Sequence, residues 1–250
     1  CESGYCDQLV QRSTCPYAAL PESFEDYMRS LARNLRYNFR RRLKALHREG
    51  PVALVVLRNG PEIQSRLPEL MELHRRRFAT QGKSSSFLLP DVQQFHRELI
   101  GAMGPDDGLR LYILEIRGQA AAALYGFSQG KKFLFFQSGM DPQWSRLSVG
   151  LVLMGSVIEQ AIKDGHTEFD FLRGDEAYKF QWATAARSTY TVRVFDRQMK
   201  ALWVHAFLWL HHKAGSLKRS LAGEGLDHRA IPGEIRRLPR PEPSSTASPR

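Results

Sequence analysis

Apolar residues recur at Met28, Leu31, Leu35, Phe39, Leu43 and Leu46, spacings of three and four that put them on one helix face. Ser23, with Asp26 three positions on, supplies a start, and Gly50-Pro51 a stop, so a single helix is expected from Ser23 to Glu49. Pro51 to Arg58 alternates and is rich in branched residues, which predicts a strand closed by a turn at Asn59-Gly60. Helical spacing returns over Leu67–Thr80 and, after a polar loop at Gly82–Ser86, over Leu89–Met103. Three strand patterns follow, Leu109–Arg117, Ala120–Ser128 and Lys132–Met140, with connections short enough for an antiparallel meander.

Beyond Asp141–Arg146, read as a loop, Leu151, Met154, Val157, Ile158 and Ala161 line one side of a helix that opens at Ser148-Val149-Gly150 and ends at Gly165. Thr167–Leu172 reads as a short buried strand, Glu176–Ala183 as a short helix and Tyr190–Phe195 as a last strand. The fold class expected is α/β of the α+β mixed kind: a mixed, mostly antiparallel sheet with helices on both faces. Met199–Leu221 carries Trp203, Phe207, Leu210 and Leu217 against His205, His211, His212 and Lys213, an amphipathic helix expected to pack on the domain. The boundaries drawn are 1–22 as the end of a preceding unit or a linker, 23–198 as the main domain, 199–222 as this helix and 223–250 as a flexible tail rich in Gly, Pro, Ser and Arg. The chain opens with Cys rather than Met, and Tyr5–Arg12 resembles the end of a unit, so a piece of a longer protein is expected.

A hydrophobic share of 42% and a charged share of 25% are those of a soluble globular chain, and no apolar run has the length of a membrane span. The formal charge of +10 attracts polyanions, and much of it sits at Arg33, Arg36, Arg40, Arg41, Arg42, Lys44 and Arg48 and in the tail. A hydrated helix face plus a tail is the reading preferred for such a stripe over a specific polyanion site. Cys1, Cys6 and Cys15 match neither a zinc knuckle nor a disulfide framework, which points to reduced thiols and a cytoplasmic setting. Gly82-Lys83-Ser84 lacks the upstream glycine of a P-loop. Neighbouring His211 and His212 face different ways on a helix, so no metal is expected there.

Two stretches carry candidate chemistry. The run Phe169–Trp182 is a strand pattern that stops at Arg173-Gly174 and then sets down Asp175, Glu176, Tyr178 and Lys179, which are acid, base and anion-binding groups within about one helical turn. Each also has a local reading. Asp175 can cap the following helix, Lys179 can pair with Asp175, and Asp170 can bind a neighbouring backbone group or Arg173; Trp182 reads as core. The second stretch leads from Met140 to Gly150, where a helix start exposes unpaired N–H groups that attract phosphate, Gly150 admits a close approach, and Ser148 and Arg146 add a hydroxyl and a charge. Ordinary capping uses the same residues.

The element order, together with Ser148-Val149-Gly150-x-x-Leu153, the helix end Asp164-Gly165, Phe169-Asp170-Phe171 and Gly174-Asp175-Glu176-x-Tyr178-Lys179-x-x-Trp182, resembles the GNAT acyltransferase superfamily. Within it the match looks like the acetyltransferase domain of bacterial CelD- and BioF2-type proteins, relatives of the Fem peptidyltransferases, and covers roughly Leu31 to Phe195. The resemblance implies acetyl-CoA as co-substrate and no metal. The donor would be held by Gly139, Met140, Arg146, Ser148, Val149, Gly150 and Leu151, with amides near Gly139 and Met140 polarising the carbonyl. Asp175 or Glu176 is then the base, Tyr178 the acid, and Asp170, Arg173 and Lys179 the acceptor-side residues. The function implied is transfer of an acetyl group by direct attack of a small-molecule amine, an amino sugar or a polysaccharide-related saccharide acceptor. Two alternatives remain beside it: Fem-like transfer from aminoacyl-tRNA, which would give the arginine-rich helix a polyanion, and a non-catalytic module in exopolysaccharide or cellulose production.

Overall fold

The computed structural model of the chain describes residues 5–103 and 108–196. The expected helix at 199–222 and the tail lie outside them. Contacts divide the chain into Leu9–Val192 and a unit made of Cys1–Gln8 with Arg193–Arg250; the fold described is that of the first.

Ser23 does cap a helix, accepting from the Asp26 amide at 3.1 Å, but the helix ends after about two turns. Helix α1 is Phe24–Ser30 and α2 is Arg33–Glu49, where the sequence predicts one continuous helix. The Ser30 hydroxyl takes the Tyr27 carbonyl at 2.7 Å and the Leu31 amide takes that of Met28, which closes α1. The bend brings Tyr27 and Phe39 together around Trp182: Tyr27 donates to the Trp182 carbonyl, and the Phe39 ring meets the indole edge-on. Strand β2 is Val52–Leu57. The turn expected at Asn59-Gly60 is the start of a helix: Asn59 caps α3, Gly60–Ala79, by accepting from the Glu62 amide, and Pro61 sits in the first turn, where no donor is needed. Helix α4 is Pro90–Ala102.

Strands β3 (Leu109–Ile116), β4 (Gln119–Gln129) and β5 (Lys132–Met140) form the expected meander. A 3-10 turn at Pro142–Leu147 leads into helix α5, Val149–Lys163; then come strand β6 (Glu168–Asp170), helix α6 (Ala177–Trp182) and strand β7 (Ala185–Asp196). The segment read as a linker or the end of a preceding unit holds strand β1, Tyr5–Ala19, which lies inside the sheet. Its order is β2-β3-β4-β5-β6-β1-β7; β5 with β6 is a parallel pair, whereas β2–β3, β3–β4, β4–β5 and β1–β6 are antiparallel.

Alternation along the central strands separates two cores. Tyr112, Leu114, Ala122 and Leu124 face α1, α2 and α5, whereas Leu111, Ile113, Ala123 and Tyr125 face α3 and α4. A bulge changes this parity within β5. Gln137 stands opposite Tyr125 and Phe135 opposite Gly126, which leaves Phe136 as the extra residue. Ser138 and Met140 therefore share the face of Phe133 and Phe135, while Gly139 turns to α3. A Cβ on Gly139 would lie 2.2 Å from the His74 amide nitrogen, so only glycine lets the helix cross the strand this closely.

Candidate functional site

The parallel strands β5 and β6 pair over only Lys132↔Glu168, Phe133↔Phe169 and Leu134↔Asp170. Past Asp170 the chain follows β1 instead: Phe171 donates to the Pro16 carbonyl and Gly174 to that of Thr14, each at 3.0 Å. Asp170 initiates the departure, its carboxylate accepting from the Leu172 amide at 2.7 Å while Leu172 adopts a left-handed φ of 54°. The edge of β5 from Phe135 to Met140 is thereby left without a ladder partner.

A cavity of about 360 Å³ occupies the opening. Its floor is the face of β5 that the bulge turned over, Ser138 and Met140, with Leu124 beside them; its far wall is Tyr178, Gln181 and Trp182 of α6. The first turn of α5 contributes Ser148, Gly150 and Leu151. Ser148 takes a left-handed conformation, φ 53° and ψ 50°, between the 3-10 turn and α5, and its hydroxyl caps nothing. Its carbonyl accepts from Leu151 and Val152, so the Val149 and Gly150 amides come before the first intrahelical bond. Those amides and the helix dipole make an anion-attracting end beside the cavity.

Arg77, in the last turn of α3, reaches the floor from the opposite side of the sheet. Its Nη1 donates to the Ser138 hydroxyl at 2.8 Å, its Nε is buried without a partner, and its guanidinium carbon lies 5.6 Å from the Tyr178 ring centroid. Burial raises the Tyr178 pKa, with the Glu176 charge adding to the rise and Arg77 opposing it. The phenol is thus protonated at neutral pH and available as an acid.

Six of the residues predicted from sequence line this cavity: Gly139, Met140, Ser148, Gly150, Leu151 and Tyr178. Val149 is fully buried in the core, so only its backbone bears on the site. Arg146 is exposed on the 3-10 turn, and its carbonyl accepts from Arg42. The five remaining polar positions do not line the cavity. Asp175 is exposed and caps nothing, since α6 begins at Ala177 with Glu176 as an N-cap that makes no side-chain bond. Lys179 pairs with Glu176 at 2.9 Å rather than with Asp175, and its ammonium, almost fully buried, also donates to the Arg173 carbonyl at 2.9 Å. A Cβ on Gly174 would meet that pair. Glu176, Lys179 and the Arg173 backbone form a clasp that shapes the turn into α6, while Arg173's own side chain is exposed. Asp170 shapes the turn before it and lies 4.0 Å from Arg187.

Sequence reasoning missed Arg77, Ser138, Ser145 and Gln181, all of which line the cavity. Arg77 ends the run Arg75-Arg76-Arg77, which reads as charge placed against a helix dipole; Arg75 and Arg76 do pair with Glu72. Asp141 was read as loop, yet it accepts from the Gln143 amide and from Arg76 at 2.6 Å, fastening the turn below the cavity to α3.

Residues 33–180 match the acetyltransferase (GNAT) domain family. No curated protein matches the chain. Among solved structures the fold is similar to that of FemX, at a TM-score of 0.57 and 10% identity over 80% of this chain and 68% of that one. It is also similar to L-PGS from Bacillus licheniformis, at 0.51 and 12% over 83% of this chain and 66% of that one. A conserved protein of unknown function from Bacteroides thetaiotaomicron gives 0.50 and 13% over 76% of this chain and 62% of that one. The chain thus spans about two thirds of each of these proteins.

Proposed function

Because the chain belongs to the GNAT acetyltransferase domain family, we propose that it transfers an acyl group, most simply acetyl, from coenzyme A to an amine or hydroxyl of a small molecule or saccharide. The observation that carries this reading is the 360 Å³ cavity in the wedge between β5 and α6, lined both by the start of α5 and by Tyr178. The pyrophosphate of the donor would meet the Val149 and Gly150 amides and the free Ser148 hydroxyl. The pantetheine would run along the open edge of β5, whose unpaired backbone groups suit an extended amide chain.

The chemistry follows from what lines the wedge. The acceptor nitrogen or oxygen attacks the thioester carbon; the C–O π pair moves onto oxygen, where β5 backbone N–H groups stabilise it. Collapse expels the thiolate, which takes the Tyr178 phenolic proton. The acceptor's proton leaves to water, and solvent returns a proton to the phenolate. Among the described residues, no carboxylate or imidazole lines the cavity. An amine acceptor therefore reacts in its neutral form, and the rate should rise with pH until that amine is deprotonated.

Calorimetric titration of acetyl-CoA into the wild type and a Gly150→Asp variant tests the donor site. A Cβ at Gly150 meets only the flexible Met140 thioether at 3.2 Å, and a carboxylate in a first helical turn favours the helix, so the variant should fold. Saturable binding that the carboxylate abolishes is expected. A folded wild type that binds no acetyl-CoA overturns the reading.

One observation favours a second donor class, aminoacyl-tRNA. Arg33, Arg36, Arg40 and Lys44 share one face of α2 with Tyr37, which is 64% exposed, and only Arg40 of these four has an acidic partner among the described residues, Glu25 at 2.9 Å. Binding of tRNA that weakens with salt and with Arg36→Gln and Lys44→Gln would support it.

A further inference from the structure

The arginines Arg75, Arg76 and Arg77 stand together near the end of α3, and their charges are met differently. Arg75 holds both carboxylate oxygens of Glu72, each at 2.7 Å, and Arg76 pairs with Glu72 at 2.7 Å and Asp141 at 2.6 Å. Arg77 instead lines the cavity, and no carboxylate pairs with it among the described residues. Its partners are the Ser138 hydroxyl at 2.8 Å and the Tyr178 ring, and neither carries a charge while the phenol keeps its proton. Its Nε is buried without a partner.

Much of the remaining wall is apolar, with Leu124, Met140, Leu151, Leu153, Met154 and Trp182 in it. A cation beside such walls is stabilised by a counter-charge. No acidic side chain lines the cavity to supply one, so a bound molecule is its source. Direction separates this cation from the anions of the donor. Helix α5, whose first amides attract the pyrophosphate, packs on one face of the sheet, and α3 packs on the other. A thioester held along β5 from the α5 side is open to attack from the α3 side, and Arg77 arrives from there. One guanidinium balances a monoanion, and its planar fork matches a carboxylate. Because its carbon lies 5.6 Å from the centre of the Tyr178 ring, few bonds separate the acceptor's anionic group from its attacking atom.

We infer that Arg77 selects the acceptor by a carboxylate, so that the substrate class is the amino acids. The inference rests on the acyl-CoA reading and narrows its acceptor. The amine forms the new C–N bond, the thiolate departs with the Tyr178 proton, the nitrogen's proton passes to water, and water reprotonates the phenolate.

The test measures acetylation of the common amino acids and of their carboxamides by the wild type, Arg77→Met and Arg77→Lys, beside acetyl-CoA affinity and melting curves. Acid and carboxamide share the donor and Tyr178, so the ratio of their kcat/KM values cancels any change in acid strength. Comparing that ratio between variants cancels the difference in amine basicity. In the wild type it should favour the acid by about tenfold or more, as expected for a charge-assisted hydrogen bond. Arg77→Met should reduce it by about tenfold, and acetyl-CoA affinity should stay within about threefold. Arg77→Lys keeps the charge without the fork and should retain part of the preference. A ratio that survives Arg77→Met, or amino acids left unacetylated by a wild type that binds acetyl-CoA, overturns the inference and leaves the donor reading standing. Acetyl-CoA affinity lost in Arg77→Met with an unmoved ratio assigns the arginine to the donor's phosphates and likewise overturns it. A folded wild type that binds no acetyl-CoA overturns the donor reading, and this inference with it.

Discussion

The guanidinium of Arg77 lies over the ring of Tyr178, with its carbon 5.6 Å from the centroid, although the two come from helices on opposite sides of the sheet. The contact is possible only where β5 has lost β6 as a neighbour. It places a cation against the residue best suited to protonate a leaving thiolate. Tyr178→Phe should lower turnover by about a hundredfold while changing acetyl-CoA affinity by less than about threefold, because the phenol acts in the transition state rather than in donor binding. Steady-state kinetics against direct titration separates the two effects, and an unchanged turnover would remove Tyr178 from the acid role. Arg77→Met should push the phenol's pKa further up, since the cation is what opposes the rise from burial.

Gly139 and Gly150 should respond oppositely to the same substitution. Gly139→Ala places a Cβ 2.2 Å from the His74 backbone nitrogen, and neither a helix nor a strand can yield there. A loss of about 1–3 kcal/mol or more is expected in urea unfolding. Gly150→Ala meets only the Met140 thioether at 3.2 Å, so its change should stay under about 1 kcal/mol.

His74 should make the protein acid-labile. The ring is buried between the Ser85 hydroxyl at 2.8 Å and Gln137 at 3.1 Å, and burial draws its pKa from 6.5 to about 4. The folded form binds this proton less readily than the unfolded chain does. The stabilisation is therefore complete above about pH 6.5 and is lost as pH falls toward 4. On the order of 2–3 kcal/mol is at stake, and His74→Gln should flatten the dependence of unfolding free energy on pH across that window. A profile identical in wild type and variant would show that the ring is not the titrating group.

Asp175→Asn should leave turnover within about twofold of the wild type, since that carboxylate is exposed and does not line the cavity. Glu176→Gln should act on stability instead. It leaves the Lys179 ammonium, whose side chain is 6% exposed, with only the Arg173 carbonyl as an acceptor. Because Glu176 is itself half exposed, a loss of about 1 kcal/mol is expected rather than the larger cost of a fully buried pair. A large drop in turnover for Asp175→Asn with normal stability would restore it as the base.

Much of the fold was legible along the chain. The meander of β3, β4 and β5 lies within a residue or two of the stretches that alternation and short connections predict, and α5 begins at the Ser148-Val149-Gly150 start. The break between α1 and α2 was not legible, because the apolar spacing from Met28 to Leu46 continues through it; the break depends on Tyr27 reaching Trp182, far away in sequence. Helix α3 was read as starting at Leu67 because the Asn59-Gly60 turn signal competes with the Asn59 cap, and Pro61 decides for the helix.

The sequence by itself determined the meander, α5 and the short elements after it, and a glycine and a serine at the start of α5, since turn chemistry and apolar period act between residues a few positions apart; strand β1 and the break between α1 and α2 it did not announce. Only the tertiary structure decided which polar groups meet. The bulge at Phe136 reverses which β5 side chains face the cavity, a change of parity that no local pattern announces. Capture of Phe171 and Gly174 by β1 opens the wedge, and it joins residues more than 150 positions apart. Through that opening Arg77 reaches Ser138 and Tyr178, while Glu176 and Lys179 are drawn into a clasp beside it. Two sets of polar residues that look alike in sequence differ because one lies along an unpaired strand edge and the other holds a turn.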